Sequence, residues 1–248
     1  MSGMNIVNMI KFQLKLMCKT PIMFIMFFVY PVLLTAIIGY LTQSSFGGEV
    51  SSYEYYSIGM MIFIFTSSGL ISSYNFLDEN VKQGNVRTMF TPVKNLGIYL
   101  SEIISGTIYS SVAIAITMLI FSLLFGVNYN GNGILICVSF VILSFMSNSL
   151  GMLLCATINN IGAVNMVFNI VQTVLCILGG AFFSLEALGE IPAMISKISP
   201  VKWLMDGLLN SMYDNNNFIL FVIIGINIII AVMLIGLTSK TFKTEKYL

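Results

Sequence analysis

Histidine is absent from all 248 residues. That absence removes His-based catalytic triads, His-ligated haem and zinc sites of the H-E-x-x-H kind together. Charge is scarce as well. Asp, Glu, Lys and Arg make up 8% of the chain, against about 25% in an ordinary soluble domain. A net charge of +1, with no basic patch carrying stacking aromatics, gives no reason to expect nucleic acid as a partner. No G-x-x-x-x-G-K-[ST] loop occurs, so the chain does not cradle ATP phosphates by that route. The four cysteines, Cys18, Cys137, Cys155 and Cys176, form no C-x-x-C pair. Three lie in apolar runs and read as small buried hydrophobes, not as a disulfide or metal set. No metal site and no cofactor bound by this chain are expected. No cleavable signal peptide is evident, because the first apolar run starts only after about twenty residues and is too long for a signal core.

What the chain does have is apolar length. It is 57% hydrophobic, more than a soluble core can hide, and the simplest solvent for that surface is a lipid bilayer. A bilayer core of about 30 Å needs roughly 20 apolar helical residues. Six such runs are present: Ile22–Leu41, Tyr56–Phe76, Ile103–Phe125, Ile134–Ala156, Ala163–Phe183 and Phe218–Leu237. Lys11, Lys15 and Lys19 precede the first, Lys82, Arg87 and Lys94 follow the second, and Lys240, Lys243 and Lys246 follow the sixth. Six spans put all nine on one side and leave Lys197 and Lys202 on the other, so the positive-inside rule predicts cytoplasmic termini. Residues 4–19 place Asn8, Lys11, Lys15 and Lys19 at helical spacing opposite Ile6, Met9, Ile10 and Met17, the pattern of an interfacial helix. Residues 184–217 alternate apolar and polar, and predict an external helical hairpin that dips into the outer leaflet, with Trp203 at interface depth.

The spans carry neutral polar stripes instead of ionisable groups. Asn165, Asn169 and Gln172 share a face of the fifth span, Ser144, Ser147 and Gly151 a face of the fourth, and Ser68 and Ser72 a face of the second. Such stripes either glue helices together or line a path for amphipathic cargo. Glu102 is the only acid close to a span. The absence of carboxylates at mid-membrane counts against an ion-driven transporter.

The charge that remains is gathered in DENVKQGNVRTMFTPVKN, residues 78–95, which holds Asp78, Glu79, Lys82, Arg87 and Lys94. Met89 and Phe90 put an apolar patch in its middle, and Pro92 stops whatever helix precedes it. A short helix lying across the bilayer surface, with Met89 and Phe90 on one side, would make a docking knob for a soluble partner. The bland reading is a solvated turn that fixes topology.

Three stretches carry a family resemblance over nearly the whole chain. CKTPIMFIMFFVYPVLLTAIIGYL (18–41) has a basic residue and a proline at its start and a second proline inside. NFLDENVKQGNVRTMFTPVKN (75–95) has a charged pair, then Gly84, then Met89-Phe90, then Thr91-Pro92-Val93. IPAMISKISPVKWLMDGLLNSMY (191–213) has Ser199-Pro200 followed by an aromatic. In this order, the chain resembles the permease subunit of a bacterial type 2 ATP-binding-cassette exporter. It departs from the family pattern in a segment from Gly84 to Pro92 one residue shorter, and in Arg87 where an acid is common.

The resemblance implies an all-α integral membrane protein, one permease domain over 1–248, with a cytoplasmic coupling helix between spans two and three. It implies a location in the bacterial cytoplasmic membrane and a second permease, identical or homologous. It implies separate ATPase subunits that use ATP and Mg. Asp78, Glu79, Lys82, Gly84, Arg87, Met89, Phe90 and Pro92 would meet the ATPase. Ser68, Ser72, Ser144, Ser147, Asn165, Asn169 and Gln172 would flank the path. The expected cargo is an amphipathic small molecule or antimicrobial peptide, exported without an ATPase site in this chain. Without the resemblance, a channel-like or interaction protein lacking any ATPase remains open. A membrane enzyme has little to work with.

Overall fold

The computed structural model describes residues 6–45, 51–77, 95–158 and 160–242. They form helices, with no strand among the described residues. Six helices are long and apolar enough to cross a membrane: α2 (Pro21–Thr42), α3 (Ser52–Leu77), α4 (Asn95–Phe125), α5 (Gly133–Ile158), α6 (Ile161–Leu178) and α9 (Phe218–Thr241). Ahead of them lies α1 (Ile6–Lys19). Between α6 and α9 lie α7 (Glu190–Ser196) and α8 (Pro200–Tyr213), which form the expected pair of short helices. Below, the end of the bundle where α3 stops and α4 starts is the loop end, and the end carrying α7 and α8 is the hairpin end.

The boundaries follow from local chemistry. α3 begins four residues before the expected Tyr56 because Ser51 and Glu54 form a capping box. The Ser51 Oγ accepts from the Glu54 amide at 3.1 Å and the Glu54 carboxylate accepts from the Ser51 amide at 3.1 Å, which satisfies two free amides at the helix start. α4 begins eight residues before the expected Ile103. Its early turns bury Ile98 and Tyr99 against Phe76, Met9 and Phe242, a second apolar cluster at the loop end. α6 stops five residues short of the expected Phe183, because Gly180 takes φ +76° and the Ala181 amide turns back to the Cys176 carbonyl at 3.0 Å. Glycine is the residue that adopts this conformation without strain.

Proline shapes α2. Pro31 has no N–H for the Phe27 carbonyl four residues earlier, and a π-helical turn, Ile25–Val29, precedes it. Thr117 of α4 donates its hydroxyl to that same Phe27 carbonyl at 3.4 Å. Irregular backbone is tolerated at membrane depth where a neighbouring helix supplies the missing bond.

α3 is the axis of the bundle and is buried along nearly its whole length. α6 and α9 expose most of their apolar surface. The main core joins α2, α3, α4, α5, α8 and the Gly179–Ala181 turn through Phe27, Phe65, Phe121, Phe140, Leu204 and Leu208. A Cβ on Gly59 would lie 2.0 Å from the Ala181 carbonyl oxygen, so α3 lies directly against that turn.

Candidate functional site

The expected coupling residues Asp78, Glu79, Lys82, Gly84, Arg87, Met89, Phe90 and Pro92 lie outside the described residues. Their two stems are described, and they meet at a polar joint. α1 presents Met9, Gln13 and Met17 on its buried face. Gln13 donates to the Glu102 carboxylate and, at 3.3 Å, to the Ser101 hydroxyl, while Ser105 donates to the Gln13 carbonyl oxygen at 2.9 Å. Asn75, near the end of α3, addresses the same carboxyl. One buried acid thus ties α1 to the helix that leads into the 78–94 segment and to the helix that leads out of it. The sequence reading singled out Glu102 but not Gln13. The signal was a lone amide midway between Met9 and Met17 on the apolar face of an amphipathic helix.

The second constellation surrounds a break in α3. Its helix lapses at Ser67 and Ser68 and resumes at Gly69. α5 closes the gap. Ser147 accepts from the Gly69 amide at 3.0 Å and donates to the Thr66 carbonyl. Ser68 donates to the Ser144 carbonyl and Ser72 to the Asn148 carbonyl, each at 3.3 Å. α6 contributes Gln172, which donates to the Phe63 carbonyl at 2.8 Å and to the Ser67 hydroxyl. Ser73 donates to Asn165 at 2.6 Å. Two glycines make this approach close enough: a Cβ on Gly151 would lie 2.0 Å from the Gly69 carbonyl oxygen.

The predicted stripes therefore converge. Ser68, Ser72, Ser144, Ser147 and Gln172 are buried at the contact of α3 with α5 and α6. Asn165 is half-buried beside them. Asn169 sits on the exposed side of α6 and turns its amide back to the Asn165 carbonyl at 2.7 Å. A small cavity of about 130 Å³ lies between α3, α5 and α6, lined in part by Thr66, Ser147 and Gln172. The Thr66 hydroxyl and the Gln172 carbonyl oxygen, both at its wall, have no partner among the described residues. Asn148, on the same line of α5, belongs to the constellation and was missed. It lies one turn past Ser144 and donates to that residue's carbonyl at 2.9 Å.

The hairpin end is fastened to the spans by polar contacts. Tyr55 donates to the Gly180 carbonyl at 2.6 Å, Ser199 to the Leu175 carbonyl at 2.9 Å, and Asn132 to the Ser211 carbonyl at 2.7 Å. Tyr213 donates its phenol to Glu54. Burial first, and then the Glu54 carboxylate, pushes that phenol above its ordinary value. Trp203 is partly exposed and donates to the Lys197 carbonyl at 2.9 Å.

Among the described residues, no three His, Cys, Asp or Glu side chains gather where they could hold a metal ion. The family model of the ABC-2 type transporter matches residues 4–213. That range takes in α1, the first five spans, both stems of the 78–94 segment and the two short helices. No curated protein matches the chain.

Proposed function

The chain belongs to the ABC-2 type transporter family, and on that premise we propose that it is the permease half of an exporter driven by ATPase subunits encoded separately. The observation that carries the reading is the family match laid over six membrane-crossing helices. Two permeases pair, and cargo passes between or along them. The charged segment at 78–95 stays in water on the cytoplasmic side and receives the ATPase beneath it. Closure of the ATPases on ATP pushes that segment, and its stems carry the push into α3 and α4.

The cargo is an amphipathic small molecule or an antimicrobial peptide. Support comes from walls that are apolar or neutral-polar, with Glu102 tied down near the loop end and not placed at mid-membrane. In this reading Asn169, on the exposed side of α6, meets cargo directly. Ser68, Ser72, Ser144, Ser147, Asn165 and Gln172 hold that wall in position.

The test is a mild solubilisation of the tagged chain from native membranes, followed by identification of what co-purifies. A stoichiometric chain bearing a phosphate-binding loop supports the reading. Its absence under several mild detergents refutes it and leaves a channel-like protein. With the partner in hand, Arg87→Glu and Met89→Asp should insert normally yet uncouple ATP hydrolysis from transport. Normal transport in both variants would overturn the docking role of this segment.

A further inference from the structure

α1 carries Lys11, Lys15 and Lys19 and no acid. All three lysines are exposed, and none pairs with an acid among the described residues. Beside them an apolar groove of about 370 Å³ opens between three helices. Leu14 and Cys18 of α1 form one wall, Phe24 and Phe28 of α2 another, and Ile108 and Val112 of α4 the third, with Tyr109 at the floor. We propose that this groove binds one anionic phospholipid, its acyl chain between the three helices and its phosphate on Lys11 and Lys15.

Register supports the orientation. Gln13 meets Ser101, Glu102 and Ser105, whereas Leu14 and Cys18 face Ile108 and Val112. α1 therefore climbs alongside α4 in the same direction. The 31 residues of α4 rise about 46 Å, some 16 Å more than a bilayer core of about 30 Å. Its apolar run starts at Ile103, so about 12 Å of the excess lies at the Asn95 end. Glu102 and Gln13 then stand at headgroup height, and Ile108 and Val112 lie within the hydrocarbon.

Lys11 stands at the foot of the groove, and Lys15 stands just above Leu14, beside the α1 wall. Lys11 and Cys18 are seven residues apart and share one line along the helix, and Lys15 adjoins Leu14 on that side. A ligand here needs a negative head at the lower edge and a hydrocarbon tail above it. Anionic lipids of the cytoplasmic leaflet have that form and are drawn to juxtamembrane lysines. The groove's volume is within the range of specific small-ligand pockets, roughly 300–1,000 Å³. The inference requires membrane insertion only and stands apart from the transport reading.

The chain's single tryptophan, Trp203, makes the test clean. Trp203→Phe with Phe24→Trp puts the one indole on the groove wall. The full chain is reconstituted in mixed phosphatidylcholine and phosphatidylglycerol vesicles with bromine on the chains of one lipid or the other. Brominated phosphatidylglycerol should quench the indole in clear excess over brominated phosphatidylcholine. Lys11→Gln should cut that preference about fivefold, and Lys11→Gln with Lys15→Gln about 25-fold. Arginine at both positions should restore it. A control indole at Val232, exposed on α9, should show no preference. Equal quenching by both lipids at Phe24→Trp would mean ordinary solvation by the bilayer and would overturn the proposal. Quenching by neither lipid would mean that another protein surface fills the groove, and would overturn it equally. Native mass spectrometry of the unmutated chain, counting retained phosphatidylglycerol, gives the same answer without a tryptophan variant.

Discussion

The junction of Gly69 and Gly151 offers the sharpest test of how the broken helix is held. A methyl on Gly151 would sit 2.0 Å from the Gly69 carbonyl oxygen and 2.7 Å from its carbon. Both are backbone atoms, so no side chain can swing aside. α3 and α5 must part by about 1 Å before the contact is tolerable. That movement stretches the bond from the Gly69 amide to Ser147, now 3.0 Å, beyond bonding range, and it strains the bond from Ser147 to the Thr66 carbonyl. Interhelical bonds in membranes are worth about 0.6 kcal/mol on average and at most about 1.7 kcal/mol. Forcing an extra methyl into a packed contact costs about 1–3 kcal/mol. Gly151→Ala should therefore destabilise the chain by about 2–4 kcal/mol, read from reversible unfolding in mixed micelles. Ser147→Ala alone should cost about 1 kcal/mol or slightly more. Together they should cost clearly less than the sum, because the alanine at 151 has already broken one bond that Ser147 makes and strained the other. Two outcomes refute the reasoning: a Gly151→Ala chain as stable as the wild type, or additivity to within about 0.5 kcal/mol.

Two further tests address other joints. Gln13→Leu removes the donor that faces the buried Glu102 carboxyl, at a cost of about 1–3 kcal/mol, and should free α1 from α4. Trypsin should then cut at Lys11, Lys15 and Lys19 faster than in the wild type, and an unchanged rate would show that the joint does not hold α1. Thr117→Val removes the hydroxyl that serves the Phe27 carbonyl and should cost about 0.6–1.7 kcal/mol. In a Pro31→Ala background, where the backbone regains its own donor, the cost should fall close to zero. Equal melting shifts in the two backgrounds would sever the link between the proline and the threonine.

The six crossings were legible because apolar length is a strong signal and lipid leaves the backbone few choices. The ends of the helices were less so. α4 runs eight residues beyond its apolar stretch because Ile98 and Tyr99 find partners on α3, α1 and the end of α9, contacts that a one-dimensional reading does not contain. The start of α3 carries a legible signal, the S-x-x-E pattern at Ser51–Glu54, which hydropathy alone does not register. The polar stripes were found by their spacing alone. Spacing could not show that they converge on a gap in α3, since Ser67-Ser68-Gly69 has no proline to announce a break. Gln13 was missed for a related reason: an amide on an apolar face means little until the acid opposite it, 89 positions away in sequence, is seen.

The gap in α3 also sets an order of assembly. The Gly69 amide and the Thr66 carbonyl find their partner on Ser147, about 80 positions further along, and the Phe63 carbonyl, already bonded to the Ser67 amide, gains Gln172 as a further donor 109 positions on. During synthesis α3 is complete long before α5 or α6 exists. It must enter the bilayer with polar backbone exposed at mid-height, or wait beside the insertion machinery until its neighbours arrive, since unmet backbone groups are costly in lipid. A ribosome-stalled chain ending after α4 should therefore remain extractable or degradable, and one reaching past α6 should become resistant. The chain's second half acts as the chaperone of its first.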